Sequence, residues 1–592
     1  MPELIAAWGW LPIAVPLALW TAREVGRALP VRDDERGLAG GLLHTAWVIV
    51  GVRVLAQLGL LARGPVLAWL AAGALIVFVL RRRPHTVAAS DRAVWPMLAL
   101  CAGALSYLVL CALLLPVWQW DALGYHLPLV NFLLERGSLH DLPPDIPFLS
   151  TYPRNVEYYY AAVRALLPDD TLVDAAQLPF APLAILAVAT LAQRLGATRG
   201  WGLIAGCAFV LVPAAFLQLP TNYIDFACAA WLLVAMAFAL GADARPQLWL
   251  CALALGLFLG SKSNGPIGVT LVLVVALVRG GVLARGASHR GLLLLGLAAL
   301  ILLLGSEMYV VNLLRHRNPL WPIDARFGPV HLAGTVTVEK LLAAGARIPR
   351  VHGVLPWRIV QSWTALTANP VFDMRYGGFG ALFLCALAVA IKRVWTLRRA
   401  AWPLALFAAA ALASPDPVWP RYVLAFPALV LAIAASEAST WRPARARLAH
   451  VLVWALSVIN VLYAAPGLTG EGPPLSAYFS MTSAERARAV WAESPVEGWF
   501  AARDALSPGQ NAAYDFSMEL PYLLWDRTLD HRVFRIPDHA TPELVQTLLT
   551  RENVHLLVAG DDEPAGALVR SNPAAFHLLF RCPFRACTVY RL

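Results

Sequence analysis

Charged residues are scarce in this 592-residue chain: Asp, Glu, Lys and Arg make up 14% of it, whereas 59% is hydrophobic. The mean hydropathy is +0.62. Such a composition excludes a freely soluble protein and indicates that a lipid bilayer is its solvent. The few charges are unbalanced, with a net charge of +10. Because a basic balance is also typical of nucleic-acid-binding proteins, the positions of the basic residues decide what it means.

The basic residues are concentrated in short loops between apolar runs, at 23–36, 81–83, 279–290, 392–399 and 442–447. Arginine-rich loops of this kind are typical of the cytoplasmic side of membrane proteins, so we expect no nucleic-acid partner. The first apolar run, 4–20, follows Glu3 and has no small-residue cleavage site after it. We therefore expect it to be retained as a helix rather than removed as a signal peptide.

The sequence also lacks several short motifs of enzyme classes. It has no glycine-rich nucleotide fingerprint, no repeat of fixed period and no compact metal-binding motif such as DxD or HExxH. Most of the eight cysteines lie inside apolar runs, where cysteine behaves as a small hydrophobic residue. The exceptions, Cys582 and Cys587, flank a predicted hairpin and form either a local disulfide or two free thiols.

Apolar runs suited to crossing the hydrocarbon core, roughly 17 to 25 residues at 1.5 Å each, predict about 14 transmembrane helices. They lie near 4–20, 41–62, 65–80, 95–117, 172–193, 200–218, 223–241, 246–260, 265–279, 291–311, 379–392, 401–414, 421–437 and 449–466. With the N-terminus outside, every arginine-rich loop falls inside, and the long polar segments fall outside. One missed helix would move every later basic loop to the wrong side of the membrane. The agreement therefore supports the parity, even or odd, of the number of predicted helices.

The pattern predicts a polytopic α-helical membrane protein with a small soluble C-terminal α/β domain. The first outer loop contains two segments, 125–136 and 156–167, that are typical of amphipathic helices at a membrane surface. The tail alternates predicted strands at 511–516 and 554–560 with predicted helices, and ends in a hairpin. The predicted regions are N-terminal helices at 1–117, a first outer loop at 118–171, a transmembrane module at 172–466 with a second outer loop at 312–378, and the tail at 467–592.

A carboxylate and an imidazole lie at the outer end of the fourth predicted helix, where Asp121 and His126 stand in the segment WDALGYHLP. A carboxylate at the membrane surface can accept a proton from an attacking hydroxyl, and shielding by Trp118 and Trp120 would raise its basicity. The alternative is that Asp121 only caps the following helix. The residues alone favour neither interpretation.

Several motifs at outer helix ends together carry a resemblance to a known family. They are WDALGYHLP, TYPRNVEYYY at 151–160, TNYIDF at 221–226, GSKSNG at 260–265, YVVNLLRHRNPLWPI at 309–323, MRYGGFG at 374–380 and PVWPRYVLAFP at 417–427. From about 118 to 437 the chain resembles bacterial glycosyltransferase family 39, within the GT-C superfamily. It departs from the simplest members, in which the acidic loop follows the first helix, by three additional helices before the Asp121 loop.

The resemblance implies a glycosyltransferase that takes its sugar from a polyprenyl phosphate and inverts the anomeric carbon. It makes Asp121 the expected general base or acceptor-orienting carboxylate, and Asp225 the second acidic position at the outer face. An ionisable group close to helix depth is costly unless it is used, which favours a functional Asp225 over a helix cap. The expected acceptor is a glycan, a lipid or a protein, and the expected site is on the periplasmic or extracellular face of the bacterial inner membrane.

Breaking a bond to a lipid phosphate leaves negative charge on that phosphate, so the site needs cations. Arg154, Lys262 and Arg421 lie at outer ends and are the candidates, although terminal basic residues often only extend to lipid headgroups. His126 either orients acceptor or phosphate, or is a hydrogen-bonded interface residue.

Glu157, Tyr125 and Tyr158 are predicted to contact substrate, although an aromatic belt explains the tyrosines equally well. Asp121, Asp225 and Glu157 could hold a divalent cation, so metal dependence stays open. Two other functions remain: a transporter of lipid-linked sugars, which should carry ionisable residues near the bilayer midplane, and a polymerase or ligase of surface polysaccharide.

Overall fold

The computed structural model describes residues 8–80, 92–140, 142–143, 148–242, 245–282, 287–337, 353–364, 370, 378–397, 401–414, 416–470, 472–490, 503, 506–507, 509–515, 520–581 and 587–592. Three sequence predictions fall outside these residues. They are the basic run 81–83, most of the motif at 374–380, and the pairing of Cys582 with Cys587.

Helices make up most of the described chain. The helices before residue 220 are α1 (Leu11–Ala28), α2 (Arg36–Gln57), α3 (Arg63–Leu80), α4 (Trp95–Leu114), α5 (Leu127–Arg136), α6 (Asn155–Leu166), α7 (Phe180–Arg194), α8 (Arg199–Val210) and α9 (Pro213–Gln218). Those that follow are α10 (Asp225–Leu240), α11 (Arg245–Leu259), α12 (Gly265–Arg279), α13 (Ala287–Gly305), α14 (Glu307–His316), α15 (Leu355–Thr364), α16 (Gly380–Thr396), α17 (Ala401–Leu412), α18 (Ala425–Ala438), α19 (Pro443–Ala464), α20 (Ser483–Val490), α21 (Pro542–Arg551) and α22 (Pro564–Ser571).

The first three helices pack closely through small residues and paired tryptophans. A Cβ atom on Gly40 would lie 1.8 Å from the carbonyl oxygen of Ala22, so α1 and α2 approach each other at a distance that only glycine permits. Trp47 of α2 and Trp69 of α3 stack with ring centroids 4.5 Å apart. Each indole N–H also donates to the other residue's backbone carbonyl. Helix α1 continues to Ala28, beyond the predicted end at Trp20, and the Arg27–Glu24 ion pair lies in its last turn.

Within the described residues, four helical stretches are long and apolar enough to cross a membrane: Arg36–Gln57, Arg92–Leu114, Val173–Arg194 and Pro443–Leu468. A bent pair would make a fifth, and seven further apolar helices have 10–17 residues. These are the features of a multi-pass membrane protein. Every predicted apolar run contains a described helix, but the number of spans, about 14, stays a prediction.

The predicted helix near 291–311 is interrupted in the structure. Helix α13 ends at Gly305, and α14 leaves it at an angle of 72°. Glu307, the first residue of α14, explains the break, because a carboxylate is costly in hydrocarbon and here forms ion pairs with Arg53 and Arg154. The chain therefore turns before residue 312, where the second outer loop was predicted to begin.

Both predicted helices of the first outer loop are present, as α5 and α6. A π-helical turn, Ala122–His126, leads from Asp121 into α5. The second outer region contains a small sheet that was not predicted, with strand order β2-β1-β3. Its strands are β1 (Ile323–Phe327), β2 (Val330–Leu332) and β3 (Val336–Thr337).

The chain beyond residue 510 folds into a mixed sheet with strand order β5-β4-β6-β8-β7. Its strands are β4 (Asn511–Tyr514), β5 (Val533–Arg535), β6 (Val554–Gly560), β7 (His577–Arg581) and β8 (Cys587–Arg591). Strands β5, β4 and β6 run parallel, whereas β8 and β7 are antiparallel. Helices α21 and α22 form a separate hydrophobic core with one face of this sheet. Its buried residues include Val545, Leu557 and Leu568. The predicted strands and helices of the tail are present, whereas β5 and α20 were not predicted. The extent of the domain, with its boundary at 467, stays a prediction.

The C-terminal sheet is fixed to the first outer loop by ion pairs and hydrogen bonds. Arg527 contacts Asp169 at 3.1 Å and Asp170 at 3.0 Å. The indole N–H of Trp525 and the backbone N–H of Val533 both donate to Oε2 of Glu135 at the end of α5. The C-terminal region thereby holds two segments that follow Asp121 along the chain, helix α5 and residues 169–170.

Candidate active site

Asp121 lies where α4 gives way to the π-helical turn. Its backbone N–H donates to the hydroxyl of Tyr223 at 3.1 Å, and its side chain caps no helix. The side chain instead meets Arg421, whose Nη1 lies 3.0 Å from Oδ2 of Asp121. The helix-cap interpretation of Asp121 therefore has no support in this geometry.

A second carboxylate shares the same arginine. Nη1 of Arg421 is 3.6 Å from Oδ2 of Asp225, the first residue of α10. The other oxygen of Asp225 contacts Nζ of Lys262, which lies in the break between α11 and α12. Four sequence-predicted residues from four separate segments thus form one chain of charges: Asp121, Arg421, Asp225 and Lys262.

Two glycines, Gly260 and Gly378, make close contacts near Lys262 and Arg421. A Cβ atom on Gly260 would lie 2.2 Å from the Asn155 side chain, and the carbonyl of Gly260 accepts a bond from the Asn155 backbone N–H. This contact fixes the turn that carries Lys262. A Cβ atom on Gly378 would lie 2.4 Å from Cβ of Pro420, immediately before Arg421. Arg421 stands in a 3₁₀ turn, Pro420–Val423, and not at the start of an α-helix as expected.

Aromatic rings surround the arginine. The guanidinium carbon of Arg421 lies 4.6 Å from the ring centre of Tyr223, 4.8 Å from that of Tyr422 and 5.4 Å from that of Trp419. Nζ of Lys262 is 4.3 Å from the ring of Tyr422. Such cation–π contacts strengthen when the cation is shielded from water, as Arg421 is. They fix the direction in which the arginine presents its nitrogen atoms.

The four charged side chains differ in exposure. Arg421 and Asp225 are 6% and 5% exposed, whereas Asp121 is 24% exposed. Asp121 is therefore the carboxylate of this pair that a molecule from outside can reach. Two tyrosines near it stay protonated: burial, reinforced by the charge of Asp121, raises the pKa of Tyr152 to about 12 and that of Tyr125 well above its usual range. Both phenols can donate hydrogen bonds at neutral pH.

His126 and Glu157 form a second pair. Nδ1 of His126 lies 2.7 Å from Oε1 of Glu157, and the two side chains are almost fully buried. The imidazole also stacks at a tilt on Tyr125, with ring centroids 4.2 Å apart. The buried pair therefore supports, from the protein interior, the turn that carries Tyr125.

Arg154 and Tyr158 belong to a third cluster. Nε of Arg154 is 3.3 Å from Oε1 of Glu307, and the hydroxyl of Tyr158 donates to the same oxygen at 2.8 Å. The second oxygen of Glu307 lies 3.1 Å from Nε of Arg53 in α2. The structure thus brings Arg154 and Tyr158 together at the helix break, with a carboxylate that the sequence analysis did not single out.

The carboxylates of the candidate site contact basic side chains. The described part of the chain contains no group of three or more His, Cys, Asp or Glu side chains placed to hold a metal ion. Asp121 and Asp225 contact Arg421 and Lys262, and Glu157 contacts His126.

The sequence matches no protein-family model and no curated protein. Among solved structures, it is similar to apo ArnT from Cupriavidus metallidurans, with a TM-score of 0.50 at 16% identity, over 84% of this chain and 98% of that one. The GT-C fold is shared. ArnT bound to undecaprenyl phosphate matches with a TM-score of 0.47 at 15% identity, over 85% and 98% of the two chains. The Archaeoglobus fulgidus oligosaccharyltransferase in complex with Zn and sulfate matches at 0.43 and 15% identity, over 83% and 72%.

Recognition of the GT-C fold from the outer-face motifs is therefore confirmed. The finer resemblance to family 39 stays a prediction, as do the roles of the individual residues. Sequence reasoning missed Tyr223, Tyr422 and Glu307 as parts of the site. The first two lie next to predicted residues in the motifs TNYIDF and PVWPRYVLAFP, so the motifs themselves held the signal.

Proposed function

We propose that this protein is a membrane glycosyltransferase that moves a sugar from a polyprenyl-phosphate donor to an acceptor hydroxyl. The observation that carries the proposal is the arrangement around Arg421: one buried guanidinium between an accessible carboxylate, Asp121, and a buried one, Asp225. An accessible base beside a preorganised cation suits a reaction that removes a proton on one side and creates a phosphate anion on the other.

In the proposed reaction, Asp121 accepts the proton of the acceptor hydroxyl as its oxygen bonds to the anomeric carbon. The bond from that carbon to the phosphate oxygen breaks, and its electron pair leaves with the polyprenyl phosphate. Arg421 and Lys262 stabilise the added negative charge on the phosphate. Attack opposite to the leaving group inverts the anomeric carbon. Asp225 holds both cations and is a positioning residue, because it contacts them and is buried.

The other predicted residues enter the proposal in supporting roles. The phenol of Tyr125 stays protonated beside Asp121. It would therefore donate a hydrogen bond to the donor or the acceptor. His126 and Glu157 hold the Tyr125 turn from behind. Arg154 and Tyr158 fix the helix break through Glu307, so they reach the donor only if Glu307 releases them. A divalent cation on Asp121 and Glu157 stays a secondary hypothesis, which EDTA treatment of the transfer reaction tests.

The proposed location is the bacterial inner membrane, with the site on the periplasmic or extracellular face. The arginine-rich loops support this orientation, because the predicted succession of helices puts them on the face opposite to Asp121. The charges gather at one face, which favours a transferase over a transporter. A polymerase or ligase would use the same site with a larger donor, so the size of the accepted donor separates the two enzymes.

The deciding experiment supplies the purified chain in lipid nanodiscs with radiolabelled polyprenyl-phosphate monosaccharides, lipid-linked oligosaccharides or nucleotide sugars, together with a bacterial envelope extract as acceptor. The proposal expects label to appear on an acceptor from the polyprenyl-phosphate monosaccharide only. Transfer from the oligosaccharide would indicate a polymerase or ligase. Movement of lipid-linked sugar across vesicles without any transfer would indicate a transporter and overturn the proposal.

A further inference from the structure

A groove of about 1180 Å³ lies between the N-terminal helices and the rest of the bundle. Helices α1, α2 and α7 form its walls, with aliphatic residues such as Leu11, Ala18, Val48 and Leu183 along them. Ligand pockets of roughly 300–1,000 Å³ suffice for drug-sized molecules, so this groove is large enough for long hydrocarbon chains. It lies apart from Asp121, Asp225, Lys262 and Arg421, none of which lines it.

The groove runs from one face of the molecule to the other. At one end, Trp8 and Leu166 line it, and the backbone N–H of Trp10 donates to the carbonyl of Leu166 at the end of α6. At the other end it is lined by Arg23, Arg27 and Arg199. Helix α1 has 18 residues, so these ends are separated by about 27 Å. The basic end is therefore on the face opposite to the candidate active site.

Most charges at the basic end neutralise one another. Arg27 pairs with Glu24 at 2.6 Å, Arg36 with Asp33 at 2.9 Å, and Arg32 with Asp34 at 3.0 Å. The side chains of Arg23 and Arg199 are exposed and have no ion pair or hydrogen bond within the part of the chain that the structure describes. Two surplus positive charges thus stand at the mouth of an apolar groove.

We propose that the groove binds an anionic phospholipid, with its acyl chains along α1, α2 and α7 and its phosphate between Arg23 and Arg199. Basic pockets between membrane helices on the cytoplasmic side are suited to anionic headgroups, and a groove behind them removes the acyl chains from the bulk bilayer. The occupant is distinct from the donor of the proposed reaction, because the donor's phosphate must lie at Arg421 on the other face. The bound lipid would brace the three N-terminal helices against α7.

Native mass spectrometry of the full chain tests this proposal with phosphatidylglycerol and phosphatidylcholine of the same acyl chains. Each arginine near an anionic headgroup contributes about fivefold, so the wild type should retain phosphatidylglycerol about thirty-fold more strongly than phosphatidylcholine. The double variant Arg23→Gln/Arg199→Gln should lose this preference, whereas Arg23→Lys/Arg199→Lys should keep most of it. Arg447→Gln, at an exposed arginine outside the groove, is the matched control and should change nothing.

A second variant tests the groove without touching charge. Ala18→Trp fills its wall, so retention of both lipids should fall together. Equal retention of the two lipids by the wild type, or an unchanged preference in the double glutamine variant, would overturn the proposal. Displacement of phosphatidylglycerol by polyprenyl phosphate would also overturn it, because the groove would then belong to the donor. The readout is lipid retention, so a failure of the proposed transfer reaction leaves its result unaffected.

Discussion

Replacement of Arg421 by glutamine should lower both the stability of the protein and its transfer activity. Nη1 of Arg421 lies 3.0 Å from Asp121 and 3.6 Å from Asp225, and its side chain is 6% exposed. Removing one partner of a buried ion pair costs about 3–5 kcal/mol, because the remaining charge stays buried without compensation. Asp225 keeps Lys262 and Asp121 is partly hydrated, so we expect the lower end, about 3 kcal/mol.

The same substitution should also slow transfer. A preorganised group that stabilises developing charge contributes roughly 10²–10³ in rate, and Arg421 is the cation nearest to Asp121. We therefore expect Arg421→Gln to lower kcat by about that factor. The assay measures kcat for transfer from a polyprenyl-phosphate sugar, and the apparent Tm of the detergent-solubilised protein is measured alongside.

A double variant separates the two effects. Arg421→Gln/Asp225→Asn removes the uncompensated carboxylate, so its apparent Tm should recover towards that of the wild type while its kcat stays low. Arg445→Gln is the matched control, since that exposed arginine also lies over an aromatic ring, at 4.1 Å from Trp441. A kcat of Arg421→Gln within threefold of the wild type, or a double variant less stable than the single one, would refute the reasoning.

Three further predictions concern the supports of the site. Gly378→Ala should cost about 1–3 kcal/mol and lower transfer, because its Cβ would lie 2.4 Å from Pro420 beside Arg421; Gly103→Ala, which has open space, is the control, and equal apparent Tm values for the two variants would contradict this. Glu307→Gln removes the carboxylate shared by Arg53, Arg154 and Tyr158, so it should lower stability by about 3 kcal/mol. An unchanged apparent Tm would show that this cluster is not structural. Burial raises the pKa of Glu135 above its ordinary 4.5 despite bonds from Trp525 and Val533. A carboxyl with a raised pKa in the folded state stabilises it below the unfolded pKa and loses that contribution as pH rises through the folded one. The apparent Tm of the wild type should therefore fall relative to that of Glu135→Gln as pH is raised above 4.5, and parallel curves would contradict it.

The charged residues of the candidate site could be predicted because charge is costly at membrane depth. Asp121, Asp225, Lys262 and Arg421 all stand at the edges of apolar runs, and the positive loops predict that those edges share one face. Hydropathy could not show that one arginine joins both aspartates, since residues 121 and 421 are brought together only by the packing of distant helices.

Other features of the fold and the site could not be predicted from sequence patterns, each for a local reason. Tyr223 and Tyr422 resemble any aromatic residue of a membrane interface, so composition alone cannot assign them to Arg421. Glu307 lies inside a run that is apolar on average, which hides the 72° bend that its ion pairs require. Strand β5 has three residues, too few for an alternating pattern to appear.

The most direct test of the central claim compares the wild type with Asp121→Asn in single-turnover transfer from a polyprenyl-phosphate monosaccharide, with donor binding measured on the same samples. Asp562→Asn, at an exposed aspartate of the C-terminal region, is the matched control. General-base catalysis predicts that Asp121→Asn binds the donor within threefold of the wild type but transfers its sugar about 10²–10⁴-fold more slowly, whereas Asp562→Asn behaves as the wild type does. Equal transfer by Asp121→Asn and the wild type would remove Asp121 from the mechanism and contradict the account.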